Sequence, residues 1–131
     1  MLADRVYEVS DSLGDGVFVL TAVSKYRRFS AAFAQGDVLA YAIVHRTEDE
    51  WEVGYGYLNG SGELVRETVL NSSTGSKVSF TDGLKDVINT APAVTLQNYV
   101  GTVEPTNPFS GQFWYTGTQL RIYSGTQFHN I

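Results

Sequence analysis

Short apolar stretches, separated by glycine-rich and polar turns, recur along the chain as far as residue 90. Residues 5–10 alternate, with Val6, Glu8 and Ser10 on one side, as in a half-buried edge strand. Residues 17–20 (VFVL) predict a short buried strand, and the most apolar run, VLAYAIV at 38–44, predicts the central strand. Residues 30–35 (SAAFAQ) predict a helix of one or two turns, which ends at the following Gly-Asp pair.

A β-hairpin is predicted between residues 51 and 70. Residues 51–58 (WEVGYGYL) place their aromatic rings and a valine on one face, and Glu52, Gly54 and Gly56 on the other. Two glycines on one face indicate that another backbone or an aromatic ring approaches closely. The turn NGSG at 59–62 favours a hairpin because Asn-Gly accommodates positive φ, and residues 64–70 return as the partner strand. Residues 77–80 and 85–90 predict two further short strands.

The fold class predicted from this pattern is all-β. Turns recur every ~8–12 residues and no long helix is available, which is typical of a compact β-sandwich or barrel-like domain, assigned to residues 1–91. The pattern changes in residues 92–131. An extended arm is predicted at 94–110, with Pro105 and Pro108, followed by a small C-terminal β-meander with strands at 112–115, 120–123 and 127–131.

The C-terminal meander is the predicted site of association. A few short strands cannot bury a core alone, so the meander must pack on the main domain or on a neighbouring subunit. Aromatic rings are common anchors of such interfaces. The predicted interface residues are Phe113, Trp114, Tyr115, Leu120, Ile122, Tyr123 and Phe128. Tyr55 and Tyr57 are candidate surface aromatics that could stack on a sugar, although packing between strands is the favoured interpretation.

Composition and charge narrow the classes of partner. Hydrophobic residues make up 43% of the chain and aromatic residues 13%, which is typical of a folded domain. The net charge is −5, and the largest basic cluster in the sequence is Lys25, Arg27 and Arg28. A nucleic-acid partner is therefore not expected. No apolar run approaches the roughly 20 residues of a membrane helix, and the first residues do not resemble a signal peptide, so neither a membrane span nor export is expected.

Candidate chemistry is sparse. His45 and His129 are the only histidines, neither has a second ligand at metal spacing, and the chain has no cysteine. Neither a nucleophile elbow nor a phosphate-binding glycine loop is present. We therefore predict no catalytic, cofactor-binding or metal site and expect a non-enzymatic protein. His45 follows the central strand, so a surface or hydrogen-bonded structural role is expected for it.

Several segments resemble a module of tailed-bacteriophage virion proteins, of the tail-fibre-associated or decoration type. The resemblance covers most of residues 4–90. Its pieces are Asp4-Arg5-Val6 with Glu8, 16–20, Tyr26-Arg27 with Phe29-Ser30, 41–44, 51–54 with Gly56, 64–66 with 68–70, Ser72-Ser73, Val78 with Phe80, and 85–87. The C-terminal segments 111–115 and 120–128, after the Pro105-x-x-Pro108 pair, resemble a short motif of fibre and virion proteins.

The resemblance implies a β-rich structural protein of the phage particle, commonly trimeric. The leading hypothesis is a tail fibre or adaptor-type subunit that forms a homotrimer. One alternative is a capsid decoration (cement) protein that stabilises the head lattice, and a second is a carbohydrate-binding host-recognition module. The implied partners are other copies of the chain and a tail or major capsid protein. The implied location is the virion, after synthesis in the cytoplasm of the bacterial host.

Overall fold

The chain forms two compact units, Met1–Pro92 and Ala93–Ile131. The computed structural model describes residues 2–93, 99–100 and 102–131. In these residues nearly all regular structure is β, which confirms the predicted all-β class.

One antiparallel sheet of six strands organises the first unit. Its spatial order is β2-β1-β6-β3-β4-β5. The predicted central strand is confirmed as β3, an interior strand, whereas β1 is not the edge because β2 pairs outside it. The elements are β1 (Tyr7–Ser10), β2 (Thr21–Ala22), α1 (Phe29–Ala32), β3 (Leu39–His45), β4 (Trp51–Leu58), β5 (Leu64–Ser72) and β6 (Lys85–Ile88).

The core of this unit lies on one face of the sheet. Alternate residues of β1, β4 and β6 are buried there, and irregular segments and α1 supply the opposing layer. The predicted strands at 17–20 and 77–80 are wrong, because these segments make only the isolated bridges of Phe18 with Leu64 and of Phe80 with Gly14. Their apolar side chains instead fill the core, where the rings of Phe18 and Phe80 meet edge to face at 5.3 Å.

The predicted hairpin from β4 to β5 is confirmed. A Cβ at Gly54 would lie 2.2 Å from the carbonyl oxygen of Thr68 and 2.7 Å from the hydroxyl of Tyr41, so both a backbone and a ring approach this glycine as predicted. In the turn, the N–H of Gly62 donates to the carbonyl of Asn59 at 3.0 Å. The positive φ falls at Gly62, at 74°, and not at the Asn59-Gly60 pair.

The second unit contains a sheet in the order β10-β9-β8-β7. Its strands are β7 (Tyr99–Val100), β8 (Phe113–Tyr115), β9 (Leu120–Tyr123) and β10 (Phe128–Asn130). The three predicted mini-strands are confirmed as the antiparallel set β8, β9 and β10. Within the predicted arm, residues 94–98 and 101 lie outside the described residues, and β7 pairs in parallel with β8.

Candidate functional site

The meander of β8, β9 and β10 has two different faces, and they divide the predicted interface residues. Phe113 pairs with Ile122 and Tyr115 pairs with Leu120 across β8 and β9, which places these four side chains on one face. We call this set the apolar face. The other three predicted residues, Trp114, Tyr123 and Phe128, lie on the opposite face.

The face that carries Trp114 is closed by packing within the unit. Trp114 is only 4% exposed, and its ring meets that of Phe128 edge to face at 5.2 Å. The Tyr123 ring lies 5.1 Å from the same Phe128 ring, and the guanidinium of Arg121 lies 5.2 Å from the centre of the Trp114 ring. These side chains form the small core of the meander, and so little of Trp114 is open to a partner.

The apolar face is open to solvent. Phe113 is 48% exposed, Tyr115 44% and Leu120 42%, and Ile122 is half-buried. His129 pairs with Ile122 and is the polar residue on this side of β10. The described strands therefore present a row of apolar side chains without a charged group. Isolated apolar side chains are common at surfaces, whereas large contiguous apolar patches are typical of interaction sites, so this row is a candidate contact surface.

Tyr55 and Tyr57 lie on the outer face of the six-stranded sheet, and both are half-buried. The Tyr55 hydroxyl is buried and has no hydrogen-bond partner in the described part of the chain, and burial raises its pKa. Half-burial of both rings agrees with the favoured interpretation that these tyrosines pack between strands.

The two histidines occupy different environments. His45 is buried; its Nε2 donates to the carbonyl of Asp82 at 2.8 Å, and its Nδ1 accepts the N–H groups of Thr47 and Glu48, each at 3.1 Å. This is the hydrogen-bonded structural role predicted for it. Gly83 lies against the ring, where a Cβ would be 2.7 Å from Cε1. His129 is exposed at the edge strand β10.

A buried ion pair in the first unit was missed by sequence reasoning. Glu52 and Arg66 are both fully buried, and Arg66 Nη1 donates to Glu52 Oε2 at 3.1 Å. The Tyr41 hydroxyl donates to Glu52 Oε1 at 2.7 Å, and burial together with this bond raises the pKa of Tyr41. The guanidinium also donates to the carbonyls of Gly14, Gly16 and Val78. Arg66 thus ties the two irregular segments to the sheet.

Two more buried charges serve the fold. The Glu8 carboxylate accepts Arg28 Nε at 2.8 Å and the N–H of Phe29 at 2.9 Å, which anchors the first turn of α1. Lys85 Nζ donates to the carbonyl of Ser12 at 2.8 Å, and burial lowers the pKa of this ammonium. Each charged group is hydrogen-bonded within the first unit, which offsets part of the cost of burying a charge. These charged groups therefore stabilise the fold.

A surface depression lies beside the start of β1. It has a volume of about 470 Å³, and its walls include Arg5, Tyr7, Tyr26 and Asp86. The Tyr7 hydroxyl donates to Asp86 Oδ1, and Arg46 Nη2 donates to the same oxygen at 2.9 Å. Burial alone would raise the pKa of Asp86, but the bonds from Arg46 and Tyr7 outweigh burial and hold that pKa below its usual value.

Within residues 2–93, 99–100 and 102–131, no group of three or more histidine, cysteine or acidic side chains is arranged to hold a metal ion. Over the same part of the chain, no helix has both the length and the apolar character needed to cross a membrane.

Comparisons with known proteins leave the family open. The chain matches no model of a protein family, no curated protein and no solved structure at a significant level.

Proposed function

We propose that this chain is a non-enzymatic structural subunit of a tailed phage particle, of the tail fibre or adaptor type. In this proposal the subunit assembles as a homotrimer, and the apolar face of the C-terminal unit forms the contact between copies. The observation that carries the proposal is the exposed row of Phe113, Tyr115, Leu120 and Ile122.

The small size of the C-terminal unit supports self-association. The unit spans Ala93–Ile131, and chains of about 40 residues or fewer usually need disulfides, metals or oligomerisation to be stable. Cysteine is absent from the sequence, and no metal-binding group is found among the described residues. Burying the apolar face against other copies supplies the missing apolar burial, at roughly 25 cal/mol per Å² removed from water.

The net charge of the chain restricts where two copies can meet. With a net charge of −5, two copies repel each other over most of their surfaces. The described strands β8, β9 and β10 carry no charged side chain on the apolar face. Copies that meet through this face therefore bring no like-charged side chains of these strands together. The trimeric symmetry is what the resemblance to virion proteins implies.

The phage part of the proposal rests on the resemblance. Several residues of the resembling segments are those that hold the first unit together, including Glu52, Gly54, Arg66 and Lys85. Buried charges and a closely packed glycine are needed by this particular fold, so we expect proteins that share the module to share these residues.

The direct test replaces one residue of the apolar face. Leu120→Glu places a carboxylate on that face and is expected to reduce the trimer to a monomer in multi-angle light scattering. The matched control, Gln127→Glu, adds the same charge at an exposed position in the turn before β10 and is expected to remain trimeric. A Leu120→Glu chain with the same mass as the wild type would contradict association through this face. Absence of the chain from phage particles purified on a density gradient would contradict the virion assignment.

A further inference from the structure

We propose that the first unit carries a second contact between copies, in which a basic corner of one chain receives an acidic tip of the next. The basic corner consists of Arg5, Lys25 and Arg27 around the ring of Tyr26. The acidic tip consists of Glu48 and Asp49, in the turn between β3 and β4. This contact is separate from the apolar face and does not depend on the proposed trimer.

The basic corner is a well-ordered arrangement. The Arg5 guanidinium lies 4.9 Å from the centre of the Tyr26 ring, and its Nη2 donates to the carbonyl of Lys25 at 2.6 Å. The Tyr26 ring in turn meets Tyr7 edge to face at 5.0 Å. Stacking and a hydrogen bond hold the guanidinium in place, while its remaining N–H groups have no partner in the described part of the chain. Such a guanidinium is suited to bind a carboxylate with two parallel hydrogen bonds.

The backbone at this corner is held in an uncommon conformation. Arg5 and Lys25 have φ of 59° and 71°, and they are the non-glycine residues of the described chain with positive φ. Side chains other than glycine adopt this region at a cost, and such residues concentrate at binding and active sites. The N–H of Arg27 donates to the carbonyl of Arg5 at 2.8 Å, which fixes the two segments to each other.

Free positive charge is concentrated at the basic corner. The ion pairs of the described residues engage Arg28, Arg46 and Arg66, and Lys85 is buried. Of the exposed cations of the first unit outside these pairs, Arg5, Lys25 and Arg27 lie together, whereas Lys77 lies elsewhere. In a chain with a net charge of −5, this corner is therefore an attractive surface for acidic groups.

The depression beside Arg5 gives the acidic groups a place to enter. Its volume of about 470 Å³ is within the range of small-ligand pockets and exceeds the size of one carboxylate side chain. Tyr7, Tyr26 and Ile88 provide apolar wall for the methylene groups of an entering side chain. Asp86, which also lines it, is paired with Arg46 at 2.9 Å, and this pairing reduces its repulsion of an incoming carboxylate.

The acidic tip is equally well ordered. Glu48 and Asp49 are exposed, while the N–H groups of Thr47 and Glu48 both donate to Nδ1 of the buried His45. The bond from His45 Nε2 to the Asp82 carbonyl anchors the ring on its other side. A tip that is already ordered loses less conformational entropy on binding, which favours its use as an interaction element.

The tip and the corner lie at opposite ends of the six-stranded sheet. Ser10, at the end of β1, pairs with Lys85, which pairs with His45 at the base of the tip. Arg5 precedes the other end of β1. Among the described residues no ion pair joins the tip of a chain to its own corner, so we assign the contact to two copies that meet head to tail. Contacts of this kind repeat along a ring or a filament.

The test is a charge exchange in the full chain. Variant A, Lys25→Glu with Arg27→Glu, makes the corner acidic, and variant B, Glu48→Lys with Asp49→Lys, makes the tip basic. In sedimentation velocity at low salt, each variant alone is expected to lose the salt-sensitive association of the wild type, with a rise in Kd of about tenfold or more. A mixture of A and B in equal amounts, and a single chain carrying all four substitutions, are expected to regain it.

The controls separate this contact from net charge and from the apolar face. Lys77→Glu and Glu67→Lys change exposed charges elsewhere on the first unit and are expected to leave the association unchanged. If the apolar contact fails, the wild type still shows the salt-sensitive step, so the two proposals fail independently. The proposal is overturned if the wild type shows no salt-sensitive association. It is also overturned if the chain that carries all four substitutions stays dissociated. That result would assign the corner to an acidic partner other than a second copy of this chain.

Discussion

The carboxylate of Glu52 and the guanidinium of Arg66 form an ion pair inside the core of the first unit, with 3.1 Å between Oε2 and Nη1 and no solvent exposure of either side chain. The rings of Phe18 and Phe80 lie 5.0 and 5.4 Å from the guanidinium carbon. The pair is surrounded by hydrogen-bond partners, among them the N–H of Val78, which donates to Glu52 Oε2 at 2.8 Å. This arrangement joins the sheet to the irregular layer that covers it.

Removal of one partner of this pair is expected to destabilise the first unit strongly. Glu52→Gln leaves Arg66 as an uncompensated buried charge, a change that costs about 3–5 kcal/mol of unfolding free energy. Glu67→Gln, at an exposed position on the same strand as Arg66, is the matched control and should stay within about 0.5 kcal/mol of the wild type. Urea unfolding followed by Trp51 fluorescence in a Trp114→Phe background measures both. Equal stabilities of Glu52→Gln and the control would contradict the role assigned to the pair.

Gly54 is expected to be intolerant of any side chain. In Gly54→Ala, the new Cβ would lie 2.2 Å from the Thr68 carbonyl oxygen, so the hairpin must shift. Overpacking of this kind costs about 1–3 kcal/mol. At Gly60, the nearest atom to a new Cβ is Gln35 Nε2 at 3.6 Å, so Gly60→Ala should be neutral or stabilising by up to about 1 kcal/mol. The same unfolding assay compares the two, and a Gly54→Ala chain as stable as Gly60→Ala would refute the close approach.

Asp86 is expected to contribute to the loss of folding stability at low pH. Despite burial, the bonds from Arg46 and Tyr7 hold the pKa of Asp86 below its ordinary value of 3.8, so the folded state releases this proton more readily than the unfolded state. The resulting stability is present above that ordinary value and is lost as pH falls through the lower pKa of the folded state.

The measurement is the melting temperature between about pH 7 and pH 2. Asp86→Asn should lower it at neutral pH and flatten its decline in acid, whereas Asp37→Asn, at an exposed position, should keep the wild-type slope. If the melting temperature of Asp86→Asn falls as steeply in acid as that of the wild type, the Asp86 carboxylate does not cause the loss of stability at low pH.

The local part of the fold could be predicted from the sequence. The strands β3, β4 and β5 and the meander strands follow from apolar alternation and from turn residues, which act over a few neighbouring positions. The segments at 17–20 and 77–80 carry the same apolar signal, yet they cover a sheet instead of joining one. Their place depends on Arg66, whose contacts reach about 50 residues along the chain to Gly14 and Gly16.

The candidate site was predictable only in part. The aromatic C-terminal residues stand out by composition, but their division into an apolar face and a closed core depends on the register of β8 with β9. The basic corner shows the same limit, because the stretch around Lys25 is visible in the sequence whereas Arg5, 20 residues away, joins it only in the fold. A charged residue such as Arg66 within a strand gives no sequence signal that distinguishes a buried position from an exposed one.

The mass of the unmodified chain in solution tests the central proposal most directly. Multi-angle light scattering over a range of concentrations, in about 0.5 M salt to screen the charged contact, isolates association through the apolar face. We expect a species with three times the 14.4 kDa mass of the chain. A mass of 14.4 kDa at every concentration would contradict the proposal that copies of this chain assemble through Phe113, Tyr115, Leu120 and Ile122.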